Sequence, residues 1–125
     1  MSTSERASAS IRQMPERDQP ISESFRLTAR EYADADAAAS LLEELKSVTL
    51  EKLKSELIAE KGDMPDNKAE RMVKASRAWE EYVRNMCVQR ARATKLRLKL
   101  EWTRMKFSEW QALDATARAE MRLSR

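Results

Sequence analysis

Apolar positions along this chain recur at helical rather than strand spacing, and the repeat is longest in the second half. With Met72 taken as a of a heptad, the a positions are Met72, Trp79, Met86, Ala93, Leu100, Phe107, Asp114 and Met121. The d positions are Ala75, Tyr82, Gln89, Leu96, Thr103, Trp110 and Ala117. All a positions but Asp114 are apolar, and a phase held that long predicts one extended helix over about 66–123 with coiled-coil packing. Such a helix, approaching ~90 Å, cannot bury its own seam. Met72, Trp79, Tyr82, Met86, Leu96, Leu100, Phe107, Trp110 and Met121 are therefore the expected seam or interface residues. Ser108-Glu109-Trp110-Gln111 has the form of a capping box, so a terminal helix could separate near 108. The phase running unbroken through Phe107 and Trp110 favours continuity.

The first half reads differently. Thr28-Ala29-Arg30-Glu31 forms a Thr-x-x-Glu capping box, and Ala, Leu, Glu and Lys then dominate without a breaker to Lys61, which predicts a helix over 29–61. Its apolar positions Leu41, Leu42, Leu45 and Val48 cluster on one side, and Leu50, Leu53 and Leu57 rotate toward another. Gly62 falls where a left-handed C′ residue belongs. The turn over 62–66 is short enough to make the two helices antiparallel, with Asp63 or Asp66 available as a cap and Pro65 tolerated in or before the first turn. Residues 1–27 combine serines, two prolines and balanced charges with little to bury, which predicts a mobile segment; a short helix over 21–25 is compatible with it. The expected fold is all-α: a helical hairpin with a long C-terminal coiled-coil-like helix, one helical domain over 28–125. The overhang of the second helix and the two apolar faces of the first favour an oligomer.

Composition narrows the function classes. The 125 residues include one glycine, three prolines, one cysteine and no histidine. Sheets with tight turns and Gly-rich phosphate loops need residues that accept positive φ, which one glycine cannot supply. The missing histidine removes the commonest general base and zinc ligand. Cys87, next to the seam residue Met86, reads as a small buried hydrophobe with no base to activate it. Glu43-Glu44 and Glu80-Glu81 point to different sides of a helix and make no acid/base pair. The chain is thus expected to be non-enzymatic, with no cofactor and no metal. A lone cysteine, no apolar leader and no run near ~20 apolar residues predict a cytoplasmic protein outside the membrane.

Charge is unevenly spread. The net charge is only +3, yet 29–61 holds eight acids against five bases. Between Arg84 and Lys106 there are eight bases against Glu101 alone. Arg90, Arg97 and Arg104 fall at e and Arg92, Lys99 and Lys106 at g, so a parallel self-pair would repel and the helix calls for an acidic antiparallel neighbour or a polyanion. One reading makes the strip a solvated face partly paired with the first helix. The other makes Arg90, Arg92, Arg97, Lys99, Arg104 and Lys106 phosphate contacts for DNA or RNA. Trp102, at c and off the seam, is the aromatic best placed to touch a partner, or else it packs on the N-terminal segment.

The stretches Glu80-Glu81-Tyr82-Val83, Ala91-Arg92-Ala93 and Met105 to Leu123 (MKFSEWQALDATARAEMRL) resemble small helical proteins encoded by tailed phages and prophages. The resemblance covers about 69–123, is strongest over 107–123, and carries no site residues. It implies a viral setting, in the host cytoplasm, and a small accessory role near recombination and replication functions. Two functions follow as expectations: a nucleic-acid-binding accessory protein, or a protein-binding inhibitor or modulator of a host enzyme or defence complex. A structural coiled-coil protein is a third.

Overall fold

A computed structural model of the protein describes residues 20–124; the expected mobile segment lies outside them except for its last residues, 20–27. Four helices follow one another: α1 (Ile21–Glu44), α2 (Lys46–Lys61), α3 (Asp66–Lys74) and α4 (Arg77–Leu123), with no strand among the described residues. The all-α expectation holds. The described residues form two compact units, one made of 33–94 and the other of 20–32 with 95–124.

Both expected helices are divided. The first begins at Ile21, seven residues before the expected cap, so Thr28 lies inside α1 and is buried. It then bends at Leu45, whose φ of −85° and ψ of 2° leave the helical region. Hydrogen bonds still cross the bend, from Leu45 N–H to the Leu41 carbonyl at 3.0 Å and from Thr49 N–H to the Leu45 carbonyl at 2.8 Å. The Leu42 carbonyl beside it accepts from the Tyr82 hydroxyl, the kind of side-chain intrusion into a helical ladder that bends helices. The second helix breaks between Lys74 and Arg77. Ser76 caps α4: its hydroxyl accepts from Trp79 N–H at 3.3 Å and donates to the Val73 carbonyl at 2.5 Å. An N-cap serine satisfies a donor that the first turn leaves unpaired. At Ser108, by contrast, α4 runs on without interruption.

Within 33–94 the core is built from small residues and one aromatic, with Tyr82 half-buried beside it. Ala35, Ala39, Ala69 and Ala93 are buried, as are Val73 and Trp79. Ala35 and Ala39, one turn apart on α1, leave room for α4 to approach closely. The rows of contacts from Leu42 to Tyr82 and from Asp36 to Arg90 run in opposite directions, so α1 and α4 are antiparallel here. Trp79 stacks on Tyr82 with ring centroids 5.8 Å apart. Of the expected apolar face of the first helix, Leu41, Leu45 and Val48 are exposed and Leu42 is half-buried, while Ala35 and Ala39 of α1 are fully buried.

α2 packs on α3. Lys54, 6% exposed, lies between them with Nζ 2.7 Å from Asp66 and 3.1 Å from Glu51. The Asp66 carboxylate raises the Lys54 pKa above its usual value, and Glu51 adds to the effect. Asp66 is therefore a cross-helix ion-pair partner and not a cap; Pro65 occupies the cap position, and its carbonyl accepts from Lys68 and Ala69 N–H at 3.0 and 3.1 Å. Gly62 closes α2 at φ 94°, ψ 171°. That is the region essentially confined to glycine, beyond the left-handed helical well expected of a C′ residue.

In the other unit, α1 residues 21–32 pack on α4, with Thr28, Leu100 and Thr103 buried. The Arg104 guanidinium sits 5.6 Å from the centre of the Phe25 ring. Thr103 Oγ1 donates to the Lys99 carbonyl at 2.9 Å, so its burial leaves no polar atom unsatisfied. No described helix is long and apolar enough to cross a membrane.

Candidate nucleic-acid interface

The a and d positions sort the seam. Along α4, residues 79, 82, 86, 89, 93, 96, 100 and 103 are each buried or half-buried, as a helix with one inward stripe requires. Met72, on α3, is half-buried. Beyond Thr103 the stripe opens: Phe107, Trp110 and Met121 are 42%, 55% and 66% exposed, although Phe107 and Trp110 stack on each other at 6.1 Å. These three thus do not form a buried helix seam within this chain. Cys87 is also exposed, since position b faces away from the stripe.

Arg90 does not belong to the outward basic strip. Its Nη1 donates to Asp36 Oδ1 at 2.7 Å, its Nη2 to Ser40 Oγ at 3.2 Å, and its Nε and Nη2 to the Glu43 carboxylate. All three guanidinium nitrogens are engaged by α1. The arrangement holds the Glu43 carboxyl below its usual pKa, chiefly through the Arg90 hydrogen bond, and raises that of Arg90 through Glu43 first and Asp36 second. Sequence placed Arg90 correctly at e. Only the fold shows that Asp36, Ser40 and Glu43 stand opposite it.

The remaining basic residues divide by surroundings. In 33–94, Arg92 is exposed. In the other unit, Lys95, Arg97, Arg104 and Lys106 are exposed and Lys99 is half-buried. Arg92, Lys95 and Arg97 have no acidic partner among the described residues. Elsewhere on α4 the charges are locally paired, Arg77 with Glu81, Arg84 with Glu80 and Arg118 with Asp114. From Lys95 to Lys106 there are five bases against one acid, so pairing of that kind runs out there. A helix with such an excess at its surface attracts polyanions.

Trp102 lies off the seam and is 54% exposed, with Lys106 Nζ 4.5 Å above its ring centre. Leu98 and Met105, which the sequence reading did not single out, are exposed with it. The spacing 98, 102, 105 places the three on one helical face, and that spacing was the available signal. Among the described residues no cluster of three or more candidate metal ligands exists. Compared with protein-family models, curated proteins and solved structures, the chain matches none.

Proposed function

We propose that this chain is a non-enzymatic accessory protein of phage DNA metabolism that binds nucleic acid through the exposed bases of α4. The observation that carries the reading is the exposure of Lys95, Arg97, Arg104 and Lys106 along one stretch of α4, the two lysines on one side of the helix and the two arginines on another, with Arg92 beside them in sequence; among the described residues no carboxylate pairs with Lys95 or Arg97. Phosphates would replace the missing acids, and release of their counterions would drive binding. Trp102 adds an exposed ring among these charges. Binding of a labelled oligonucleotide followed by anisotropy at ~50 mM salt, where phosphate contacts are strongest, tests the reading. Affinity that falls steeply with added salt supports it; no affinity for single- or double-stranded DNA contradicts it.

A second reading is favoured by the exposed Phe107, Trp110 and Met121 on the continued seam stripe of α4. Apolar residues at a and d without a partner fit a helical protein surface, either a second copy of this chain or a host protein. A stable oligomer in light scattering supports the first. A single stoichiometric host partner retained after nuclease treatment supports the second, an inhibitor or modulator role. A structural coiled coil indifferent to both would show the oligomer alone.

A further inference from the structure

We propose that Leu98, Trp102 and Met105 form a platform on which unpaired bases stack, so that α4 takes single-stranded rather than duplex nucleic acid. The inference rests on the nucleic-acid reading above and gives it a substrate class. The three side chains are 53%, 54% and 64% exposed and follow one another at i, i+4 and i+7 on one face. At about 100° per residue, Lys95, Lys99 and Lys106 fall along one flank of that face and Arg97 and Arg104 along the other, with Glu101 between the stripe and the arginines and Glu109 closing the stripe beyond Met105. An apolar stripe between two rows of cations is the inverse of what a duplex presents, because its phosphates face outward and its bases are stacked inside. Set against a duplex, the apolar stripe would strip water from phosphates without offering them a hydrogen bond. A single strand offers flat base faces with phosphates to either side, which matches stripe and flanks together. Trp102 is the centre of the platform: Lys106 Nζ covers one face of its ring at 4.5 Å, so a base stacking on that face displaces the ammonium, which the phosphate beside the base then receives.

The test compares anisotropy of a labelled oligothymidylate of ~20 nucleotides with a duplex of equal length at ~50 mM salt, for the full chain and for Trp102→Ala, Trp102→Phe and the double variant Arg97→Ala/Lys106→Ala. Stacking by one base predicts that Trp102→Ala weakens single-strand binding about 5- to 100-fold and leaves duplex binding within about twofold, while Trp102→Phe keeps most of the affinity. Circular dichroism of Trp102→Ala should be unchanged, since the ring is exposed. Equal affinity for the two forms, with Trp102→Ala silent and Arg97→Ala/Lys106→Ala weakening both, overturns the platform and leaves the basic-strip reading standing. Binding to neither form overturns both; a change in mass by light scattering on Trp102→Ala would then assign the stripe to a contact between protein chains.

Discussion

Arg90 Nη1 donates to Asp36 Oδ1 at 2.7 Å, joining two residues 54 positions apart. This bond separates two uses of arginine that look alike in sequence: Arg90 closes the fold, whereas Arg92 and Arg97 are exposed without an acidic partner among the described residues.

The first prediction follows directly. Arg90→Ala strands Asp36 and Glu43 and lowers the thermal midpoint, yet leaves oligonucleotide affinity within about twofold because no phosphate contact is lost. Arg97→Ala does the reverse, keeping the midpoint and making the log–log salt slope on a single strand shallower by about 0.7. Thermal melts and salt titrations of both variants check the division.

Acid should loosen the same contact. Glu43 titrates below its ordinary value of 4.5 in the folded chain because Arg90 hydrogen-bonds the carboxylate. A depressed carboxyl stabilises above its unfolded pKa and loses that contribution as pH falls through the folded one. Stability is expected to drop below about pH 4.5, and Glu43→Gln should flatten that drop, as followed by denaturant midpoints between neutral pH and acid.

At Gly62 the strain is purely one of backbone, since a Cβ built there meets nothing within 4 Å. Gly62→Ala is expected to cost about 1–3 kcal/mol, as is Gly62→Asn, because asparagine relieves the left-handed helical well and not φ 94°, ψ 171°. An Asn variant as stable as the native chain in denaturant unfolding would show that the turn relaxes into the ordinary C′ conformation.

Trp79 and Trp110 share a seam in the heptad but not in the fold. Trp79→Ala, at a buried position, should cost about 3–5 kcal/mol. Trp110→Ala, with more than half its surface exposed, should stay within about 0.5 kcal/mol for the chain on its own. Equal losses, together with a reduced mass in light scattering, would place Trp110 between chains.

Sequence made some of this legible and hid the rest for identifiable reasons. The helical class, the inward stripe from Trp79 to Thr103 and the turn at Gly62 all follow from periodicity and a single permissive residue. The break at Ser76 was missed because Met72, Ala75 and Trp79 keep the heptad in phase across it, although a serine three residues before Trp79 is a cap signal in its own right. The bend at Leu45 has no breaker in the sequence, and the hydroxyl that meets the Leu42 carbonyl beside it belongs to Tyr82, 40 positions away. The leucines of the first helix drew attention from Ala35 and Ala39, whose small size is what lets helices approach. Within the candidate site, Trp102 could be placed outside by register. Arg90 could not be removed from it until Asp36 and Glu43 were seen opposite.

The outward bases of α4 as a polyanion-binding surface are tested most directly by the salt dependence of oligothymidylate binding to the native chain and to a variant with Arg97, Arg104 and Lys106 all changed to alanine. The native chain should lose affinity linearly in log salt, and the variant should bind more weakly with a slope reduced by about 2, three contacts at ~0.7 each. Identical slopes and affinities for the two proteins would contradict the account.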